Sequence, residues 1–454
     1  MKLANAFKIG MILVAMFAVG VMRGQTVSSD SILNLDLRQA LEIALSESPI
    51  VKIADSEIQK QEYAKKGVLA NLMPQLDFSF NYNRTIKKQV MYLGSMGGEE
   101  SDGKKKGIPV GLNNSWSTGF QANLPIISAP LWKQLSISAD EVELAIEKSR
   151  SSKLTLTKNV KQAFYSVLLA EDSYAVFKET YDNAFENYSD IKKKFDQGLV
   201  SEYDLIRADV SVKNIEPNLY DAQNSIILSK WRLKALIGID LDMNINCVGE
   251  LKDYEDKLYA EYMSVDTTMI AGNSTLRQLD VQARQLKKSN QMAKVAYYPS
   301  LNLGLSYRWN AMNDDFKFKN YTWDPYSVLS LSLNIPIFSG GKRYSSVKQS
   351  KVQMQQLELS RIDTERGLMV NVRQSMDKMK TSIKQFSAAS EGEKQARKGY
   401  DIAVKRYDTG AGTILEINDS RLALTQSQLN KSQAIYGFLV AQADLDETLG
   451  NENK

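Results

Sequence analysis

Histidine is absent from all 454 residues, and cysteine occurs once, at Cys247. These facts remove imidazole acid–base chemistry, His-containing nucleophilic triads, disulfides and most zinc sites together. Carboxylates, hydroxyls and amines remain, and on paper they allow a carboxylate-pair mechanism of the glycosidase kind or a Ser–Lys arrangement. Either would need a concave site where such groups converge. Charge adds little: 57 Lys and Arg face 53 Asp and Glu, with no concentrated basic face for a nucleic acid. No catalytic residue, metal, cofactor or nucleic-acid partner is expected, so interest passes to the elements that would have to build any site.

The first of these elements is a leader. Lys2 and Lys8 precede an apolar run from Ile9 to Val21, followed by the small or polar Gly24, Gln25 and Ser28. A run this short suits a secretory signal and falls below the roughly 20 residues of a spanning helix. A signal peptide over 1–24 is expected, with cleavage near Gly24–Gln25; an uncleaved anchor is the alternative. Lys2, Lys8 and Arg23 leave with it, so the net charge falls from +4 to about +1. No later segment approaches 18 consecutive apolar residues, so the remainder is either soluble or held in a membrane by a β-barrel.

The chain is an internal duplication. Phe195 and Gly198 reappear as Tyr407 and Gly410, an offset of 212 that also pairs Leu205 with Ile417, Val210 with Leu422 and Gly238 with Gly450. Upstream, Asn123 and Pro125 match Asn334 and Pro336, while Pro74, Leu76 and Phe78 match Pro299, Leu301 and Leu303. Each half therefore reads helix, strand, loop, strand, long helix, tight turn, helix.

Four segments alternate with period two. Their apolar members are Leu76, Phe78, Phe80 and Tyr82; Trp116, Phe120, Ala122 and Leu124; Leu301, Leu303, Leu305, Tyr307 and Trp309; and Leu329, Leu331, Leu333 and Ile335. An amphipathic sheet packed on helices would show the same alternation. Aromatics at the ends (Tyr297, Tyr298, Trp309, Trp323, Tyr326) instead suggest the interfacial girdles of a lipid-facing barrel. Between the first two segments, Gly94, Gly97, Gly98, Gly103 and Lys104 to Lys106 predict a long polar loop. Four strands cannot close a barrel, and lipid does not tolerate unpaired edges, so protomers must pool strands. Two would supply eight and three would supply twelve; composition does not choose.

No proline falls between Pro130 and Gly198, or between Lys342 and Tyr407, so each stretch of roughly 65 residues can run as one helix of about 98 Å. In the first, Val160, Ala163, Val167, Ala170, Tyr174, Phe177, Tyr181, Ala184, Tyr188, Ile191 and Phe195 step by alternating three and four. This is a heptad seam, which implies left-handed coiled-coil packing. The second copy carries Ser375, Ser382 and Glu393 at equivalent places, which predicts a wetter or more mobile setting. Rods of this length offer no pocket for an enzyme.

The stretch from Arg406 to Asp419 (Tyr407, Asp408, Gly410, Thr413, Glu416) resembles the hairpin motif of the TolC-like outer-membrane efflux family. So do the ending from Leu445 to Gly450 and the junction Asn334 to Gly341, and the likeness runs in order through both halves. The resemblance implies an α+β membrane protein: a tandem-duplicated protomer giving four strands to a trimeric 12-stranded β-barrel and long helices to a periplasmic helical barrel. It implies a homotrimer in the cell outer membrane, in contact with its lipid, docked on a periplasmic adaptor (membrane fusion protein) and through it on an inner-membrane pump. On this reading 25–71 is an N-terminal segment and first helix, 72–125 holds outer-membrane strands one and two, and 126–238 is the first long hairpin. An equatorial segment (239–274), a helix (275–298), strands three and four (299–336), the second hairpin (337–450) and a tail (451–454) follow.

The tip turns at Gly198 and Gly410, beside Asp408, are the expected control point, since glycine tolerates the left-handed conformation of such reversals. An acidic pair after the second turn lines the entrance in the family, and Glu416 and Asp419 match it. Their spacing of three places both on one helix face, and threefold symmetry would gather them into cation-favouring rings. The plainer alternative is that carboxylates in a first helical turn complement the helix dipole and face water. Asp204 is the first-repeat counterpart of Glu416, whereas Asp419 matches Arg207. Family members often carry an arginine where this chain has Gly412. The function so implied is the passive exit duct of a small-molecule efflux system; a type I protein-secretion duct and a periplasmic coiled-coil adaptor are the competing readings.

Overall fold

The computed structural model describes residues 32–91, 107–263 and 269–451. The expected signal peptide, the glycine- and lysine-rich part of the first strand loop and the last three residues lie outside the described residues. In chain order the elements are β1 (Leu33–Leu35), α1 (Leu37–Glu47), α2 (Pro49–Ala70), β2 (Gln75–Arg84), β3 (Gln89–Met91), β4 (Ile108–Val110) and β5 (Asn114–Ile127). The first hairpin follows as α3 (Ala129–Asp196) and α4 (Glu202–Ile237), then β6 (Ile245–Cys247), a 3-10 segment (Leu251–Lys257), α5 (Leu258–Met263) and α6 (Ser274–Val295). The second half closes with β7 (Ser300–Asn313), β8 (Asp324–Asn334), α7 (Lys342–Asp408) and α8 (Ile414–Leu449).

The four alternating segments form one antiparallel sheet in the order β2-β5-β7-β8. Register aligns like with like: Leu76 pairs Ala122, Ala122 pairs Leu305, and Leu305 pairs Leu329. The adjacent row runs Asp77, Gln121, Ser306 and Val328, and in the next one Arg308 Nη2 donates to Gln121 Oε1 at 2.8 Å. One face is therefore apolar and the other mostly polar. Within a single chain the apolar face is uncovered, with Leu329, Leu331 and Leu333 at 71%, 64% and 61% exposure, which excludes the helix-packed sheet as the explanation of the alternation. Trp116 departs from the pattern: it is buried with Ala311 and Tyr321, stacked on Tyr82 at 4.2 Å and flanked by Phe316 and Phe318 from the β7–β8 connection.

Helix α3 holds 68 residues and α7 holds 67, about 100 Å each. The upper seam of α3 is deeply enclosed at Val160, Ala163, Val167 and Ala170, and again at Ala184 and Ile191. Along α7 the expectation of a wetter seam fails at two places: Ser375 and Ser382 are both buried. A Cβ on Gly437 of α8 would stand 3.1 Å from Ser382 Oγ, so the small residues there serve close helix approach rather than hydration. The third place, Glu393, is polar as read and lies 3.4 Å from Lys431 Nζ. Midway along the rods the largest core gathers Phe164, Leu168, Leu233, Ile237, Phe438 and Leu439 with Cys247 and Leu258 from the 239–274 segment. There Lys161 Nζ lies 3.1 Å from Asp446 Oδ2 in an almost enclosed ion pair, and Gln162 donates to Asp444 at 2.9 Å. These contacts join α3 to the end of α8 and so hold the two hairpins side by side.

Candidate functional site: the paired hairpin tips

The two tips reverse the chain by the same local chemistry. Gly198 and Gly410 have φ of +74° and +75°, a region costly for any residue with a Cβ. Gly198 N donates to Phe195 O at 2.8 Å and Leu199 N to Lys194 O at 2.9 Å; the second turn repeats this with Gly410 N to Tyr407 O at 3.0 Å and Ala411 N to Arg406 O at 2.8 Å. Each return helix is then capped by a hydroxyl. Ser201 Oγ accepts from Asp204 N at 3.2 Å, and Thr413 Oγ1 accepts from Glu416 N at 3.3 Å. Asp204 and Glu416 thus occupy equivalent first-turn positions, where a carboxylate meets the positive end of the helix dipole. Beneath the turns Ile191, Ala208, Ala403, Ile414 and Ile417 pack into a small shared core.

The side chains around this common frame differ. Lys194 and Arg406 are equivalent by the 212-residue offset. Lys194 crosses between hairpins, its Nζ 3.5 Å from Asp408 Oδ1 and 5.3 Å from the centre of the Tyr407 ring. Arg406 stays home: Nη2 donates to Ala411 O at 3.0 Å, and Nη1 lies 3.5 Å from Glu416 Oε2. Gly412 makes this possible, because a Cβ there would stand 3.0 Å from Arg406 Cβ and 3.1 Å from Tyr407 N. Arg406 thus folds over the turn that Gly412 keeps clear. Its role was missed in the sequence; a cation and a carboxylate flanking a glycine-rich turn was the available signal. Burial, followed by the charges of Asp204 and Asp408, pushes the Tyr407 phenol above its usual range, and its hydroxyl is buried without a hydrogen-bond partner.

Asp419 is exposed, one turn beyond Glu416, while Ile417 between them is buried. The structure therefore brings Glu416, Ala411 and Gly412 together around Arg406, while Asp408 pairs with Lys194 of the first hairpin and the charge of Asp204 acts on Tyr407. Nothing in this arrangement is a catalytic constellation. Cys247 is far up the rods, and burial followed by the charge of Glu171 pushes its thiol up to about 12. Among the described residues no group of acidic, His or Cys side chains could hold a metal ion, and no helix is long and apolar enough to cross a membrane.

Comparison with known proteins decides the family. The sequence profile of the outer membrane efflux protein family matches residues 40–239 and 267–451, one block per repeat. The chain belongs to that family. Its members are outer-membrane channel proteins rather than enzymes, which places this chain in the outer membrane. Similar proteins include the pyoverdine export outer membrane protein OpmQ of Pseudomonas putida, 20% identical over 91% of this chain and 86% of its own length. The alkaline protease secretion protein AprF of Pseudomonas aeruginosa is also 20% identical, over 90% of this chain and 83% of its own. Among solved structures, the Campylobacter jejuni CmeC outer membrane channel superposes with a TM-score of 0.70 at 18% identity, covering 91% of this chain and 85% of that one. Efflux family membership thus accounts for the duplication, the uncovered sheet and the rods at once.

Proposed function

We propose that three copies of this chain form a twelve-stranded barrel continued by a periplasmic helical tunnel, the passive exit duct of a tripartite efflux system for small molecules. The observation that carries the reading is the four-stranded sheet, with its uncovered apolar face and edge strands β2 and β8 each paired on one side only. In lipid such edges must be satisfied, and neighbouring copies supply the pairing. The efflux assignment is supported by the family and by the likeness to a pyoverdine exporter; the likeness to AprF supports protein secretion as the second reading. A periplasmic adaptor docking at the tips, with an inner-membrane pump behind it, completes the route. Cys247, Leu251 and Leu258, from the described part of the 239–274 segment, pack on the rods at mid-height, as an equatorial collar would.

At the periplasmic entrance Glu416 and Asp419, with Asp204 on the alternate hairpins, face the passage. Protein reconstituted in planar bilayers tests this. The wild type is expected to prefer cations, and Glu416→Gln with Asp419→Asn to lower the potassium-over-chloride permeability ratio several-fold. An unchanged ratio would remove the carboxylates from the passage. Deleting the gene separates the two cargo readings: hypersensitivity to small toxic compounds supports efflux, and loss of a secreted protein alone supports secretion.

A further inference from the structure

About two turns into the return helix of the second tip, α8 lays Arg421 between the hairpins. The side chain is only 4% exposed, yet a guanidinium stays charged at any accessible pH. A buried charge is costly unless a counter-charge accompanies it. Both hydrogen bonds of Arg421 go to neutral acceptors: Nη2 donates to Asn418 Oδ1 at 2.8 Å, and Nη1 to Ser211 Oγ at 3.4 Å. Its Nε is buried and has no acceptor. Among the described residues no carboxylate pairs with it, and the titratable group that acts on it is the Tyr400 phenol, itself held neutral by burial.

A cleft of about 390 Å³ opens beside this arginine, walled by α3, α4 and α8. Its lining brings a second guanidinium, Arg207, and the amides of Asn214, Asn218 and Asn418, and none of its thirteen residues is an Asp or Glu. An acid-free wall follows from divergence between the repeats, since Arg207 occupies the place that Asp419 holds in the second copy. One buried guanidinium, a second at the half-exposed rim that stacks over Tyr203, several hydrogen-bond donors and room for far more than one water at ~30 Å³ suit an anion with several oxygens.

We propose that this cleft binds a small oxyanion (phosphate, sulfate or a short carboxylate), with Arg421 as its principal ligand and Arg207 as the second. The donors come from α4 in one hairpin and from α8 in the other, so the anion bridges them and its binding favours the state in which they lie together. The site is independent of what the duct exports.

The full-length protein in detergent, titrated calorimetrically at constant ionic strength with inorganic phosphate, sulfate and acetate in turn, tests the proposal. Saturable binding of one anion per chain is expected, at least about tenfold weaker in Arg421→Gln, as loss of a charge-assisted bond implies. Arg207→Gln, at the half-exposed rim, weakens binding without touching the core and serves if Arg421→Gln fails to fold. Lys398→Gln removes the same unit charge elsewhere and leaves the affinity unchanged. Phosphate or sulfate binding without acetate identifies an inorganic ligand; acetate binding with the same arginine dependence identifies an organic acid. No saturable binding by any of the three, or binding indifferent to both arginines, overturns the site.

Discussion

Arg406 is the side chain on which the two tips differ most, and its removal has a calculable local effect. The bond from Nη2 to Ala411 O, at 3.0 Å, is charge-assisted and contributes about 1.5 kcal/mol. The 3.5 Å contact with Glu416 joins side chains that are 54% and 41% exposed, so solvent screening limits it to about 0.5 kcal/mol. Arg406→Met should therefore destabilise the second turn by about 2 kcal/mol, roughly a 30-fold rise in its open population. Hydrogen exchange reads this directly, because the amides of Gly410 and Ala411 are bonded across the turn. They should exchange about 30 times faster, and only about two- to tenfold faster in Glu416→Gln, which removes the ion pair and the carboxylate's favourable place at the helix N-terminus but leaves the bond to Ala411 O. The Gly198 and Leu199 amides of the first turn are the internal control, being bonded in the same way without an arginine. Equal acceleration at both turns, or none at Gly410 and Ala411, would refute the assignment of Arg406 as the clasp.

Two further outcomes follow from the sheet and the core. A Cβ at Gly119 would stand 2.2 Å from Tyr307 O and 2.6 Å from Arg308 Cα, backbone atoms of the paired strand that cannot give way, so Gly119→Val should abolish the heat-modifiable oligomer in outer-membrane fractions. Gly67→Ala in α2, where a Cβ meets nothing, should leave it intact and add a few tenths of a kcal/mol to about 1 kcal/mol of stability; a normal oligomer in the Gly119→Val protein would disprove the close approach. Cys247 is buried and, with its pKa raised to about 12, protonated at neutral pH. Maleimide at pH 7.5 should label it at least about a thousandfold more slowly in the native protein than in urea, and fast native labelling would show that the 239–274 segment opens readily.

Much of the architecture was legible because it rests on periodicity. The strand alternation, the heptad seam of α3 and the 212-residue offset depend on residue order alone, and the observed elements follow them. Where the reading failed, the missing information was depth. Ser375 and Ser382 looked wet because serine is polar, yet they are buried where small side chains let α7 approach α8. Trp116 looked like one more member of an exposed apolar row, but a loop some 200 residues later in the chain folds over it. At the tips, the glycines, caps and acidic positions could be named from the motif, whereas the partner of Glu416 could not. Only the path of the turn shows that a bare α-carbon at 412 lets Arg406 cross it.

By itself the sequence determined what this protein lacks and what it repeats. Without histidine, and with one cysteine, it has little means of catalysis; with two copies of strand, strand and rod, it must build something extended and amphipathic. Tertiary structure decided which charges meet. Lys194 and Arg406 hold equivalent places, yet one reaches across to Asp408 and the other folds back to Ala411 and Glu416. Arg421 was one of 57 positive charges until packing enclosed it beside an acid-free cleft. The reason is physical: periodicity is local and survives in one dimension, whereas the energy of a charge is set by its neighbours and its distance from water, which exist only once the hairpins lie side by side.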